Sequence, residues 1–393
     1  SHHYDPELTF DFCVNEPAWS NQAGIHSAFG STDRLYFRKE VPVNHDNDLS
    51  SSYSTTVWRG ERANAQILVW SSEALEQVRV STQDLRSAEG NIIPKDRITF
   101  ELVRYVLSNY PYAEKKAICG ESPYKSGFLM PDRFETLDRF DLPSQTTRPV
   151  WMMVDVPRGT VPGTYKGQVE VRAKGKAPQL LNLEIVVQNQ LLPYPKDWKY
   201  RLDLWQNPWA VAWYNHVEPW SPQHKMLLKQ HLKHYADAGG TYITTYGVHS
   251  PWTDNSYMIE GGMIEWIKKA DGTWAFDYKI FDEYVELAME CGIDEAITLY
   301  TPIPWGFRHR YKDEATGDYS YINWAPSSEE FKKMWNIFLT DFKFHLEAKS
   351  WLDITYIGIN ENPMEETLAA IHVVRNHDKC WNCLLYTSPS PRD

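Results

Sequence analysis

The chain holds no apolar run approaching the roughly 18 residues that a bilayer-spanning helix requires, so no membrane span is expected. Positive charge is also short. Lys and Arg number 40 against 52 Asp and Glu, a formal net charge of −12. That balance excludes an ordinary nucleic-acid binder, because phosphate contacts need a basic face. Cysteine is sparse, with five residues scattered at positions 13, 119, 291, 380 and 383. An odd number at such spacing gives no disulfide framework. Aromatic residues, by contrast, are abundant, with 17 Trp and 23 Tyr. Most belong in a core, but flat indole faces also suit a sugar-binding cleft.

The two ends of the chain are unusual. Cys380-Trp-Asn-Cys383 has the spacing of a redox or zinc pair. The run "CLLYTSPSPRD", Cys383 to Asp393, resembles a translated sequencing adapter, which removes Cys383 from that pair. Residues 383–393 are therefore expected to be a non-native tail. The chain starts at Ser1, so both ends are expected to be cut, and a missing leader says nothing about compartment.

Residues 1–190 have the pattern of a β-sandwich. Short strands such as Ala65–Trp70, Val150–Val156, Val161–Ala173 and Leu181–Val187 alternate with turn signals at Gly159, Pro162-Gly163 and Lys174-Gly175-Lys176. The linker spans 191–199, where two prolines in three positions suit neither strand nor helix.

Beyond residue 200 the rhythm becomes strand, loop, helix. Strands are expected at 200–204, 242–246, 296–300 and 356–360. The first helix starts at Ser221-Pro222 and stops at Gly239-Gly240, and the second is capped by Asp277. The third opens on the capping box Ser327-Ser328-Glu329-Glu330, and the fourth runs from Met364 to Arg375. Four βα units in series predict a parallel sheet, either open or part of a barrel. "DLWQNPWAV" replaces the Gly-rich phosphate fingerprint after the first strand, so the first half of a (β/α)8 barrel over 200–382 is preferred.

Both architectures gather their chemistry at the C-terminal strand ends. "YIGINENPMEET" (Tyr356–Thr367) places Glu361 at such an end, between Asn360 and Asn362. A carboxyl group there can protonate a glycosidic oxygen if burial raises its pKa. Its bland alternative is a carboxylate stabilising the N-terminus of the following helix, shared with Glu365 and Glu366. The other tips offer Trp205, Tyr246 with His249 and Trp252 beyond, and Tyr300 followed by Trp305. Indoles, hydroxyls and amides around one acid fit a neutral polyol, although core or loop packing competes for each Trp. No metal or organic cofactor is implied.

"DLWQNPWAVAWYNHVEPWSPQH", "GGMIEWIKKADGTWAFDYKIFDEYVELAMECGI", "YKDEATGDY" and "YIGINENPMEE" together resemble glycoside hydrolase family 123. The resemblance runs from the linker to about Arg375, and the N-terminal half resembles that family's sandwich domain. It implies an exo-acting retaining β-N-acetylgalactosaminidase whose substrate's own acetamido oxygen attacks the anomeric carbon to give an oxazolinium ion. It also implies an oligosaccharide or glycoconjugate substrate, and hints at export to the periplasm or cell exterior. In the family an Asp-Glu pair ends the fourth strand. Glu361 matches the acid/base, whereas the assisting Asp is replaced by Asn360, which brings no charge. That replacement is expected to cost a few kcal/mol in the transition state, about 10²–10³ in rate. It leaves three accounts open: a variant of altered activity, a catalytically impaired sugar binder, or a single-base error. Trp305, Tyr300, Trp205, His249 and Tyr246 are the expected sugar-pocket residues.

Other candidates are weaker. Asp294-Glu295 precedes the third strand, at the wrong end. His224, His231 and His234 lie on an outward-facing helix without zinc-ligand spacing. Asp313-Glu314 is expected to be a solvated turn. Four units cannot close a barrel, so the chain as written is expected to be inactive and prone to aggregate.

Overall fold

The computed structural model describes residues 7–8, 16–44, 49–108, 128–252 and 261–385. The chain divides into two compact units, Ser1–Leu192 and Pro193–Asp393.

The first unit is built from β1 (His26–Gly30), β2 (Ser52–Arg59), β3 (Arg62–Ser71), β4 (Leu75–Thr82), β5 (Leu85–Arg86) and β6 (Ile92–Ile93). It continues with β7 (Ile98–Ser108), β8 (Phe128–Glu135), β9 (Phe140–Leu142), β10 (Thr146–Asp155), β11 (Gly163–Arg172) and β12 (Gln179–Leu191). One sheet has the order β1-β3-β10-β7-β8 and the other β2-β12-β11-β4-β9, with β5 and β6 attached to β11. Alternation decides the packing. Ala63, Ala65, Ile67 and Val69 of β3 share one core with Val169, Val171, Leu183 and Ile185 of the opposite sheet. Leu68 and Trp70 point the other way, into a smaller cluster with Trp19, Tyr36 and Val41. Burial of β3 on both faces explains why it reads as a nearly continuous apolar run.

The second unit contains α1 (Pro208–Tyr214), α2 (Pro222–Asp237), β13 (Tyr242–Tyr246), β14 (Glu265–Lys268), β15 (Trp274–Asp277) and α3 (Lys279–Glu290). Then follow β16 (Ala296–Tyr300), β17 (Arg308–Asp313), β18 (Tyr319–Asn323), α4 (Glu329–Lys349), β19 (Thr355–Ile359), α5 (Met364–His377) and β20 (Asn382–Leu385). The main sheet is wholly parallel, in the order β13-β16-β19-β20. Its odd-numbered side chains Ile243, Ile297, Leu299, Ile357 and Ile359 join one core with Leu228 and Leu232 of α2, Phe281 of α3, and Phe338 and Phe342 of α4. Each such side chain, fully buried, contributes about 1.5–3 kcal/mol. The Ser328 hydroxyl starts α4 by accepting the Phe331 N–H at 3.1 Å.

Several expectations shift. Residues 200–204 form only a parallel bridge, Leu202 to Gly240, rather than a strand. The α4 cap falls on Ser328, so the third helical position is Phe331 and the reciprocal half of the capping box does not form. The sheet does not stop at 382: Asn382–Leu385 pairs in parallel with β19, because a Cys-Leu-Leu run supplies strand residues to an open edge. Residues 386–393 of the expected tail lie outside the described residues. A second sheet, β15-β14-β17-β18, was not expected at all. It is made from the segments after β13 and β16, joined where Ile267 pairs with Lys312. Asp313 consequently ends a strand instead of lying in a solvated turn, and Glu314 reaches across to Lys269 at 2.9 Å.

Candidate active site

Register brings the strand ends together. Tyr246 is paired with Tyr300, and Tyr300 with Gly358, so the tips of β13, β16 and β19 lie side by side. Asn360, two residues beyond Gly358, is 2% exposed and Tyr300 is fully buried. The Tyr300 hydroxyl donates to Asn360 Oδ1, which also accepts the Glu361 backbone N–H at 2.8 Å. Asn360 N–H donates to Thr301 Oγ1 at 3.2 Å, and Asn360 Nδ2 faces the Ile303 carbonyl at 3.4 Å. Asn362 Nδ2 donates to the same carbonyl at 3.2 Å. The loop after β16 is thus clamped to the tip of β19 by two amide side chains.

Glu361 itself is exposed. Its position, directly after a buried asparagine, turns it off the sheet and into solvent. Among the described residues, therefore, nothing gives it the expected dry environment. The bland alternative holds only for its other two carboxylates. The N-cap of α5 is Pro363, with no side-chain cap hydrogen bond, and Glu365 and Glu366 provide the acidic first turn.

An aromatic cluster adjoins Asn360 through Tyr300. The Trp252 ring stacks on Tyr300 with centroids 4.6 Å apart, and Trp205 lies 5.0 Å from Tyr300 and 5.3 Å from Trp252. Tyr246 meets Trp252 edge-on at 5.3 Å, and its hydroxyl donates to the Gln206 carbonyl at 2.9 Å. Trp205, at 40% exposed, offers part of its indole to solvent. The site thus joins Trp205, Tyr246, Tyr300 and Asn360 in one contact network. Trp252 is its shared member; the sequence signal was only an aromatic just past a strand tip. Trp305 is 48% exposed and holds its place through its backbone N–H to the Pro251 carbonyl at 3.0 Å.

His249 sits between the β13 tip and the second sheet. Burial, followed by the positive charges of Arg310 and Arg308, pushes its pKa down to about 4. Its imidazole is neutral at neutral pH, a hydrogen-bonding group rather than a proton donor.

The decoys resolve into structure. Asp294 and Glu295 are exposed ahead of β16, and Glu295 lies 3.7 Å from Arg201. His224 is buried, its Nδ1 accepting the Trp220 N–H at 2.8 Å and its Nε2–H donating to the Pro208 carbonyl at 2.8 Å. His231 and His234 are exposed. Cys380 and Cys383 are free thiols. Among the described residues, no cluster of His, Cys, Asp and Glu could hold a metal ion.

Comparison with known proteins defines the class. The family model "Glycoside hydrolase 123, catalytic domain" matches residues 205–388, and "Glycoside hydrolase 123 N-terminal domain" matches 29–173. Together they cover well over half of the chain, which belongs to glycoside hydrolase family 123. A solved family 123 glycoside hydrolase from Clostridium perfringens, described in terms of glycolipid glycan hydrolysis, superposes with a TM-score of 0.83 at 25% identity. The match covers 94% of this chain and 65% of that one, so this chain spans about two thirds of that relative. A Bacteroides ovatus GH5 xyloglucanase matches over 85% of this chain and 61% of its own, at 10% identity. Its TM-score of 0.21 is too low to carry an argument. No curated protein sequence matches the chain.

Proposed function

We propose that this protein is an exo-acting, retaining glycosidase that removes terminal β-linked N-acetylgalactosamine from a glycan by substrate assistance. A glycolipid glycan is the natural candidate, by likeness to the Clostridium perfringens enzyme. The observation that carries the reading is the pairing at the β19 tip: an exposed Glu361 directly after a buried, hydrogen-bonded Asn360. The unreversed strand order, with Leu202–Gly240 at one end and β20 at the other, supports consecutive strands of a (β/α)8 barrel.

In this mechanism the substrate's acetamido oxygen bonds to the anomeric carbon while the glycosidic bond breaks. Glu361 gives its proton to the departing oxygen, then takes one from the water that opens the oxazolinium ion. Substrate covering Glu361 supplies the dry surroundings. Asn360 holds the acetamido N–H through Oδ1. Both lone pairs of that oxygen are already used, so the substrate displaces the Tyr300 hydroxyl. Trp205 and Trp252 pack against the sugar's C–H face, with Tyr246 behind them; Trp305 and His249 form the rim.

A second reading, a catalytically impaired sugar-binding homologue, is favoured by the same residue: a neutral, already saturated Asn360 gives the oxazolinium no charge. Hydrolysis of a chromogenic β-N-acetylgalactosaminide by the parent protein tests the choice. Turnover that vanishes in Glu361→Gln supports the glycosidase, whereas sugar binding without turnover supports the binder.

A further inference from the structure

The second sheet carries a feature that hydrolysis of a neutral sugar does not use. On β17, His309 and Tyr311 face the aromatic core, His309 lying 4.8 Å from Trp324 and Tyr311 5.2 Å from Trp274. Arg308 and Arg310 therefore face the other way, two residues and about 7 Å apart along one strand. Each guanidinium lies over the ring of a tyrosine of β18: Arg308 over Tyr321 at 4.0 Å, and Arg310 over Tyr319 at 4.1 Å. These ring contacts restrain both side chains, and a guanidinium held in this way can still offer its terminal Nη groups to an anion.

Among the described residues, no ion pair neutralises these charges. Neighbouring cations are paired, Lys268 with Asp313 at 3.7 Å and Lys269 with Glu314 at 2.9 Å. Among the described residues neither Arg308 nor Arg310 forms an ion pair, and Arg308 Nε is buried without a hydrogen-bond partner. In a chain with 52 acidic and 40 basic residues, two adjacent arginines that no described carboxylate pairs are uneconomical as mere surface. Glu265, on the adjoining β14, interacts with the Tyr319 hydroxyl and forms no ion pair with either arginine. The face also adjoins the site. Arg308 follows Ile303, whose carbonyl receives the Asn360 and Asn362 amides, by only five residues. Both arginines act electrostatically on His249, just past the β13 tip.

We propose that Arg308 and Arg310, on their tyrosine platform, form an anion-binding subsite that holds a sulfate or carboxylate carried by the glycan next to its terminal sugar. The proposal rests on the glycosidase reading for the identity of that terminal sugar. It makes the substrate an acidic glycan.

The test is binding of three ligands to the whole protein: a neutral disaccharide ending in β-N-acetylgalactosamine, the same disaccharide sulfated on its inner sugar, and one bearing sialic acid there. At low salt an acidic form should bind about tenfold tighter than the neutral one. High salt, or the double substitution Arg308→Gln with Arg310→Gln, should bring the ratio to about one. Which acid gains the advantage separates sulfate from carboxylate. Equal binding of all three by the parent protein overturns the subsite, as does a preference that survives the double substitution. The salt series needs no variant, and Arg310→Lys, which keeps the charge without the fork, should lower the ratio without abolishing it. Failure of the glycosidase reading looks different: the neutral disaccharide is neither bound nor cleaved, while arginine-dependent binding of an acidic form persists.

Discussion

The Tyr300 hydroxyl donates its hydrogen to the side-chain oxygen of Asn360, linking the last residue of β16 to the first beyond β19 in a place from which water is excluded. Tyr300→Phe removes the donor and keeps the ring that Trp252 and Trp205 stack on. Asn360 Oδ1 then retains only the Glu361 N–H. Loss of one partner from a buried acceptor should cost about 1–3 kcal/mol of stability. Urea unfolding of the two proteins measures the difference; equal midpoints would mean the hydrogen bond contributes nothing.

Asn360→Asp should separate stability from catalysis. A carboxylate can keep both hydrogen bonds to Oδ1, but its second oxygen would meet the Ile303 carbonyl where an amide N–H now points. Unfolding should therefore be easier by about 1–3 kcal/mol. If Asn360 occupies the assisting position, the new charge should raise turnover about 10²–10³-fold on a chromogenic substrate. An unchanged or lower rate in a folded protein would remove Asn360 from that role.

Glu361→Gln should do the opposite. The carboxylate is exposed and, among the described residues, makes no ion pair, so stability should change by no more than about 0.5 kcal/mol. Turnover should fall about 10²–10⁴-fold, the usual weight of a general acid. Melting temperature and kcat on one preparation decide it.

These residues were legible for a simple reason. An apolar run of β-branched residues that ends in polar ones marks a parallel strand and its tip, and in α/β folds the tips converge. That logic found Tyr246, Tyr300 and Asn360 without any distance. It also expected burial for Glu361, which failed because a strand position does not reveal on which side of the chain the next residue turns. The β14–β18 sheet was illegible for a different cause. Its strands are as short as four residues, and Ile267 finds Lys312 across a helix and two strands of intervening sequence. Local periodicity carries no trace of such a pairing. Trp266, Trp324 and Trp335, three of the many tryptophans that composition alone could have assigned to a sugar cleft, turn out to be the core beneath that sheet.

That core sets a pH limit on stability. His309 is buried against Trp324 and Trp335, its Nδ1–H donating to the Phe307 carbonyl at 3.0 Å and its Nε2 accepting the Trp335 indole N–H at 3.1 Å. Protonation would aim a second N–H at that indole donor, and burial pushes the pKa down to about 4. In the unfolded chain the same imidazole titrates near 6.5. Between these values the unfolded state binds a proton that the native state refuses, so stability falls as pH drops from about 6.5 to about 4. The full loss is about 3 kcal/mol, with none above that window and no further loss from this group below it. His249, displaced in the same direction, adds a smaller loss over the same range because it is only partly covered. His309→Phe should start lower at pH 7, since the Trp335 N–H loses its acceptor at a cost of about 1–3 kcal/mol. It should then lose less between pH 6.5 and 4 than the parent does. Urea titrations at a series of pH values compare the two slopes, and parallel slopes would show that the proton goes elsewhere.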